Sequence, residues 1–315
     1  MIGSFLKRHM AAEDVWLAAC MLLMLSTAAL LFVVNAASFH FTGISYFPRQ
    51  EIALLFPVIE LAAFGLYSRD SSPRAAFIAR NGACYALTAM SVSVLVTAVQ
   101  FTPFATIDAR LSAWDQALRV DLPALMRWTY ARPVWRAVLQ AAYPALNLEV
   151  IAVPCAALFF HDRRRTRVYI YAIAYSAFLA DLFYYFFPSS GPASLLRSPY
   201  FSTEQHLTAL KFYQVHHFEP VETLLGGMIA FPSMHVVWAC LVTYAALPRK
   251  LFFYPIAALN VLVILSTVLL GWHFLVDALA GMALAAVSLG LAELSHARLG
   301  TVVVGKSSIK IGISS

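Results

Sequence analysis

Eight runs of predominantly apolar residues constrain this chain more than any other feature: roughly 15–37, 52–67, 83–104, 134–160, 168–187, 234–247, 251–270 and 274–296. The hydrocarbon core of a bilayer takes about 20 residues of helix to cross. No water there satisfies backbone N–H and C=O groups, so each crossing segment must bond to itself. The expected fold is an all-α polytopic membrane protein with about eight transmembrane helices. The second and sixth runs are short and need extension or tilt. Only "PRK" (248–250) and "GWH" (271–273) separate the last three runs, which makes them antiparallel neighbours. Composition agrees: 61% of residues are hydrophobic and 12% charged, where a soluble domain carries roughly a quarter charged.

Charge orients the helices. With the N-terminus inside, the inner segments hold Lys7, Arg8, Arg69, Arg74, Arg80, Arg163, Arg164, Arg165, Arg167, Arg249, Lys250, Arg298, Lys306 and Lys310. These are 14 of the 22 basic residues, beside five acids, against eight bases and seven acids outside. That is +9 inside and +1 outside, the bias of a chain with both termini cytoplasmic. The net charge of +6 is accounted for by topology and gives no argument for a nucleic-acid partner. Lys7–Arg8 followed by an apolar run and "NAAS" (35–38) resembles a signal peptide, but the run is longer than a usual signal core, so a retained first helix is expected. All four cysteines (Cys20, Cys84, Cys155 and Cys240) fall within the spans and read as packing residues.

The chain divides into helices 1–3 (1–105), an amphipathic outer segment (106–132), a core with an outer loop at 188–231 (133–297) and a cytoplasmic tail (298–315). In 106–132, Ile107, Leu111, Trp114, Leu118, Leu122, Leu125 and Trp128 recur at helical spacing. This predicts one helix along the membrane surface, or two broken at Pro123. It is either a connector resting on the headgroups or a wall guiding a lipid. The loop at 188–231 is long for a connection between membrane helices. It carries Arg197, His206, Lys211, His216, His217, Glu219 and Glu222, which could cover a site at the outer surface.

Chemistry concentrates in two places. In "GWHFLVDALAG" (271–281), His273 and Asp277 are four apart and share a helix face. A carboxylate inside the outer leaflet is costly unless paired. Accepting Nδ1–H from His273 would pair it, fix the tautomer and sharpen Nε2 as a nucleophile. The plain alternative is a structural His–Asp tie. In "FPSMH" (231–235), His235 opens the sixth run on the same face of the membrane as His273. Two histidines and a carboxylate below a long outer loop suit phosphoryl transfer: one His attacks phosphorus and the other protonates the leaving oxygen. Helix N-termini at both histidines favour an anion. Ser233 could cap its helix or donate to phosphate.

"PSMH" and the H-x-x-x-D of His273 and Asp277 resemble the second and third signature motifs of the type 2 phosphatidic acid phosphatase (PAP2) superfamily, usually P-S-G-H and S-R-x5-H-x3-D. "AFPSMHVVWA" and "GWHFLVDALAG" look closest to the branch of inositol phosphorylceramide synthases and their bacterial relatives. The firm resemblance covers about 230–282, and 106–193 is loosely similar. It implies a six-helix core, no metal or other cofactor, His273 as nucleophile, Asp277 as its partner, His235 as acid and Ser233 on phosphate. Met234 replaces the motif glycine. Ser266 stands in the motif serine position, but Thr267 replaces the arginine that holds phosphate, and the first motif, K-x6-R-P, is not found in its standard form. Arg197 and Lys211 are the candidate replacement cations.

Asp181, in "FLADLFYYFFP", is a candidate to orient a histidine or a substrate hydroxyl. Glu60, Asn147, Glu149 and Asn260 read as interhelical hydrogen-bond partners. "PSSGP" (188–192) reads as a turn whose N–H groups could line a phosphate site. His216, His217 and Glu219 lack metal-ligand spacing. The expectation is therefore an enzyme facing the extracytoplasmic side that moves a phosphorylated head group between lipids, with a lipid or alcohol as acceptor. Alternatives are a lipid phosphate phosphatase, a transporter using Glu60, Glu149 and Asp181, and an inactive scaffold. Broken-helix pairs and repeated halves, the marks of many transporters, are not evident.

Overall fold

A computed structural model describes residues 12–39, 49–160, 162–217, 219, 229–247 and 249–307. The described residues form helices and loops without strands. The first three helices are α1 (Ala12–Phe39), α2 (Arg49–Tyr67) and α3 (Pro73–Gln100). Two short helices, α4 (Asp108–Ala117) and α5 (Leu122–Tyr130), lead to α6 (Pro133–Phe159) and α7 (Arg163–Phe186). The long loop contains α8 (Pro192–Leu195) and α9 (Thr203–His216). The chain then builds α10 (Met234–Ala246), α11 (Lys250–Leu269) and α12 (Leu275–Ser307). Among the described residues, α1, α3, α6, α7, α11 and α12 are long and apolar enough to cross a membrane; α10 and the 55–67 part of α2 are shorter apolar helices. Each of the eight predicted runs coincides with one of these helices.

Helix ends depart from the predicted ones where polar residues extend a helix beyond its apolar stretch. α3 begins ten residues before 83, with Pro73 at its first turn, where a missing N–H costs nothing. Asp162 caps α7 by accepting from Arg165 N at 3.0 Å. In the 106–132 segment the break falls at 118–121 rather than at Pro123. Asp121 caps α5 through Ala124 N at 3.0 Å, and Pro123 lies in the first turn, where proline is tolerated.

The bundle centres on α7 and α10. α10 packs on α6, α7, α11 and α12, while α2 lies outermost against α3. Of the spans, α7 is 72% buried and α1 only 22%. α7 accordingly carries Tyr169, Tyr171, Asp181 and Tyr184 in protein, whereas α1 presents Leu22, Leu23, Leu30 and Val33 outward. At the end where α7 begins, a buried ion cluster ties helices together. Arg167 Nη2 meets Asp14 Oδ1 at 2.6 Å, Arg80 reaches Asp14 at 3.7 Å, and His296 Nδ1 reaches Glu13 at 3.1 Å. α1 is thus an integral part of the packed bundle.

Candidate active site

Four segments meet at the other end of the bundle. The first is the turn from α11 to α12. Gly271 reverses the chain with φ of 78°, a conformation open to glycine. A Cβ there would lie 2.6 Å from the Met126 side chain. His273 N–H donates to the Thr267 carbonyl at 2.9 Å, and the histidine is 5% exposed. Asp277, fully buried one turn on, accepts from Phe274 N at 2.9 Å. This is the side-chain half of a capping box at the start of α12. His273 Nδ1 stands 3.4 Å from the same carboxylate oxygen, too far for a hydrogen bond there, and Asp277 Oδ1 has no partner among the described residues. The aspartate therefore holds the helix start and faces the histidine at once. Burial pushes the His273 imidazole down to about 4, against a hydrogen bond with the Ala230 backbone that raises it.

The second segment is the mouth of α10. Ser233 N–H donates to the Asp277 carbonyl at 3.1 Å, which binds the two helix starts together. Gly281 allows this approach: a Cβ there would sit 2.7 Å from the Ser233 carbonyl oxygen. The Ser233 hydroxyl is buried, caps nothing and has no partner among the described residues. His235 lies 6.3 Å from His273 between ring centroids. Its ring stacks on Tyr143 of α6 at 4.4 Å, and Tyr143 stacks on Trp272 at 4.9 Å.

The third and fourth segments are α4 and the loop at 188–217. Asp108 accepts from Ser189 Oγ at 2.6 Å and from Ser190 N and Gly191 N at 3.0 Å each. Burial pushes its carboxyl above the ordinary value, against those bonds and one from Thr106. One turn pair later, Asp115 accepts from Leu275 N at 2.9 Å and Val276 N at 3.0 Å, capping α12 from outside. Ser202 and Gln205 form a capping box on α9, and Gln205 Nε2 donates to the Leu270 carbonyl at 3.0 Å. The amphipathic segment is therefore packed against the helix starts that carry the histidines. Ile107, Leu111, Leu122 and Met126 pack with Phe274 and Val236, while Trp114, Leu118 and Trp128 face outward.

The two helix starts, the loop at 188–217 and α6 line a partly open pocket of about 50 Å³, with His235, His273, Tyr143, Trp272, Gly191 and Thr208 in its lining. Lysine and arginine are absent from its described lining. A neutral imidazole at His273 can attack there, an imidazolium at His235 can give up a proton, and the first N–H groups of α10 offer a positive dipole end. Ser233 stands at that helix start. Ser266 is buried with its hydroxyl on the Val263 carbonyl at 2.6 Å, outside the lining. Arg197 lines a separate open groove with His206 and Leu196. Lys211 is buried on α9, three residues beyond Thr208, and burial pushes its ammonium down to about 8. Asp181 lines a neighbouring cavity inside the bundle that His235 also borders. His217 stacks on Tyr213 at 3.9 Å. The His216 side chain and Glu222 lie outside the described residues. Among those described, no group of three His, Cys, Asp or Glu side chains gathers closely enough to hold a metal.

Asp108, Asp115, Gln205 and Tyr143 were not singled out as site residues from the sequence. Asp108 and Asp115 had one signal: they are seven apart, two turns on the face that also carries Leu111. Tyr143 had none, because its partners lie far along the chain.

No curated protein and no solved structure matches the chain. A family model described as the PAP2 superfamily matches residues 109–291. That span covers more than half of the chain and contains both histidines, Asp277 and the walls around them; the chain belongs to the PAP2 superfamily.

Proposed function

We propose that this protein is a membrane lipid phosphotransferase that works through a phosphohistidine. His273 Nε2 attacks phosphorus of a phospholipid, and the bond to the departing alcohol breaks as His235, starting as imidazolium, supplies the proton and becomes neutral. An acceptor alcohol then attacks the phosphohistidine, the P–N bond breaks, and the proton returns to His235. Asp277 balances the charge that develops on His273, and Ser233 with the α10 N-terminus receives the phosphoryl oxygens.

The observation that carries this reading is the pair of histidines lining one pocket, with a buried carboxylate 3.4 Å behind His273. The absence of Lys and Arg from the described lining favours transfer over hydrolysis of a phosphomonoester. A dianionic phosphate without a cation is costly to bury, whereas a phosphodiester brings one charge that a helix start and a hydroxyl can meet. The branch resembling inositol phosphorylceramide synthases fits that choice.

Mass spectrometry of lipids from membranes carrying the protein or His273→Ala tests it. A new phosphodiester lipid that falls roughly 10³-fold or more in the variant is the expected result. Loss of a phosphomonoester without a new lipid would make the protein a hydrolase. Identical lipid profiles with and without the wild-type protein would end the enzymatic reading.

A further inference from the structure

We propose that the cavity inside the bundle beside the histidine pocket binds the acceptor, and that the acceptor is a lipid alcohol with an acyl carbonyl near its hydroxyl. The inference rests on the transfer reading above for the acceptor's role, but the binding site stands on its own observations. The cavity holds about 360 Å³ between α3, α6, α7 and α10. His235 and Ile229 line both this cavity and the histidine pocket, so His235 is a shared wall. Any group resting against that wall is next to the proton relay.

The lining has a definite chemistry. Tyr85, Ala89, Val92 and Val96 of α3 recur at spacings of three and four on one face, and Ile173, Ala177 and Asp181 of α7 do the same on the facing one. From Ile173 to Asp181 the wall descends about 12 Å along α7, enough for a stretch of acyl chain. Ala89 is an exposed member of the lining, and it is the place we assign to lateral entry. Two groups in this apolar wall lack partners among the described residues. Asp181 is 1% exposed with both carboxyl oxygens unpaired, and the buried Nε1–H of Trp238 is unpaired as well. A buried polar group without a partner is costly and is rare in a folded protein. Here the deficit is complementary: a carboxyl with an oxygen free to accept, and one N–H donor.

A lipid alcohol fills it. Its hydroxyl donates to Asp181, its acyl carbonyl accepts from Trp238, and its chain lies between α3 and α7. A purely hydrocarbon occupant leaves the three atoms unsatisfied. In the transfer step the hydroxyl turns from Asp181 to His235: its oxygen forms the new bond to phosphorus, the P–N bond to His273 breaks, and its proton passes to His235. Met234 also lines this cavity. The residue that departs from the motif glycine thus shapes the acceptor side of the wall.

Photolabelling tests the site without turnover. The full chain with His273→Ala is placed in lipid nanodiscs with a diacylglycerol or an N-acyl amino alcohol, each carrying a mid-chain diazirine, and crosslinks are mapped by mass spectrometry. Label is expected in 85–96 and 173–181, competed by the unlabelled alcohol and not by its O-methyl ether. Asp181→Ala should weaken the competed labelling about tenfold, and Ala177→Trp should abolish it by filling the space. Ala89→Trp does the same where Ala177→Trp fails to fold. Whichever probe labels these segments identifies the acyl ester or acyl amide class. Label that spreads over outward-facing helices without competition, that ignores these variants, or that appears with neither probe would overturn the proposal. Lipid transfer that persists in His273→Ala would refute the phosphohistidine and leave this labelling result intact.

Discussion

His273 occupies the five residues, 270–274, between α11 and α12, and its surroundings set its chemistry. Burial penalises the imidazolium and pushes the group down to about 4, so at neutral pH the ring carries a lone pair for attack. With a phosphodiester substrate, whose charge is constant in this range, the acid limb of kcat/KM is expected near pH 4, well below the ordinary 6.5. The same depression works against the fold. The unfolded chain binds the proton first, so stability is whole above about 6.5 and declines as pH falls toward 4. A pH–rate profile alongside thermal melts at each pH checks both, and an acid limb near 6.5 would contradict the burial argument. His235, His273 and Asp277 were legible because local spacing and two short motifs carry them. The stacking of Tyr143 between His235 and Trp272 was not, since it is made by helices distant in sequence and has no period to betray it. Ser233 was legible as a polar residue at a helix mouth, but only the structure separates the cap from the uncommitted hydroxyl.

At the scale of elements, the two caps in the amphipathic segment make a natural comparison. Asp121 caps α5 alone, and Asp121→Ala should cost about 1 kcal/mol of stability with little change at the pocket. Asp115 reaches across to α12 and holds Leu275 and Val276, in the turn that also holds Asp277. Asp115→Ala should cost about 1–3 kcal/mol, speed hydrogen exchange at those two amides and lower transfer activity. If both variants melt alike and keep equal activity, α4 is only a connector. The apolar pattern predicted a helix here but could not say what it packs on, because the same stripe suits a membrane surface and a protein wall. In the structure the stripe is shared: Leu111 and Leu122 are buried while Trp114 and Trp128 face outward, where rings suit the headgroup level. The runs located every long helix for a physical reason, since hydrophobicity reports what lipid touches. They misplaced the start of α3 for the same reason, because Arg74, Arg80 and Asn81 belong to the helix but to no apolar run.

For the whole molecule, the two ends of the bundle differ in kind. One end gathers Arg163, Arg164 and Arg165 with the ion cluster around Arg167, which is 1% exposed and paired with Asp14. Removing Asp14 would leave the buried guanidinium with only the more distant Glu13, 3.9 Å away, so that end is a structural lock. The other end carries α4, α5, α8, α9 and both histidines. Positive residues are retained on the cytoplasmic side, so the histidine end should face out. A chain with Cys20, Cys84, Cys155 and Cys240 replaced can test this with single cysteines at exposed positions, Asp70→Cys beside the basic end and Thr203→Cys at the start of α9. A membrane-impermeant maleimide should label Thr203→Cys in intact cells and Asp70→Cys only after permeabilisation. The reverse pattern would put the pocket inside and require the donor lipid in the inner leaflet. With the expected pattern, donor head groups reach His273 from the outer surface, while an acceptor alcohol reaches His235 sideways from the bilayer past Ala89. The two substrates then approach one phosphorus from different phases, and water competes with the acceptor from the outer surface. How far α9, which lines the pocket through Gln205, Thr208 and Phe212, keeps water from the phosphohistidine decides the ratio of transfer to hydrolysis, which the lipid profile reads directly.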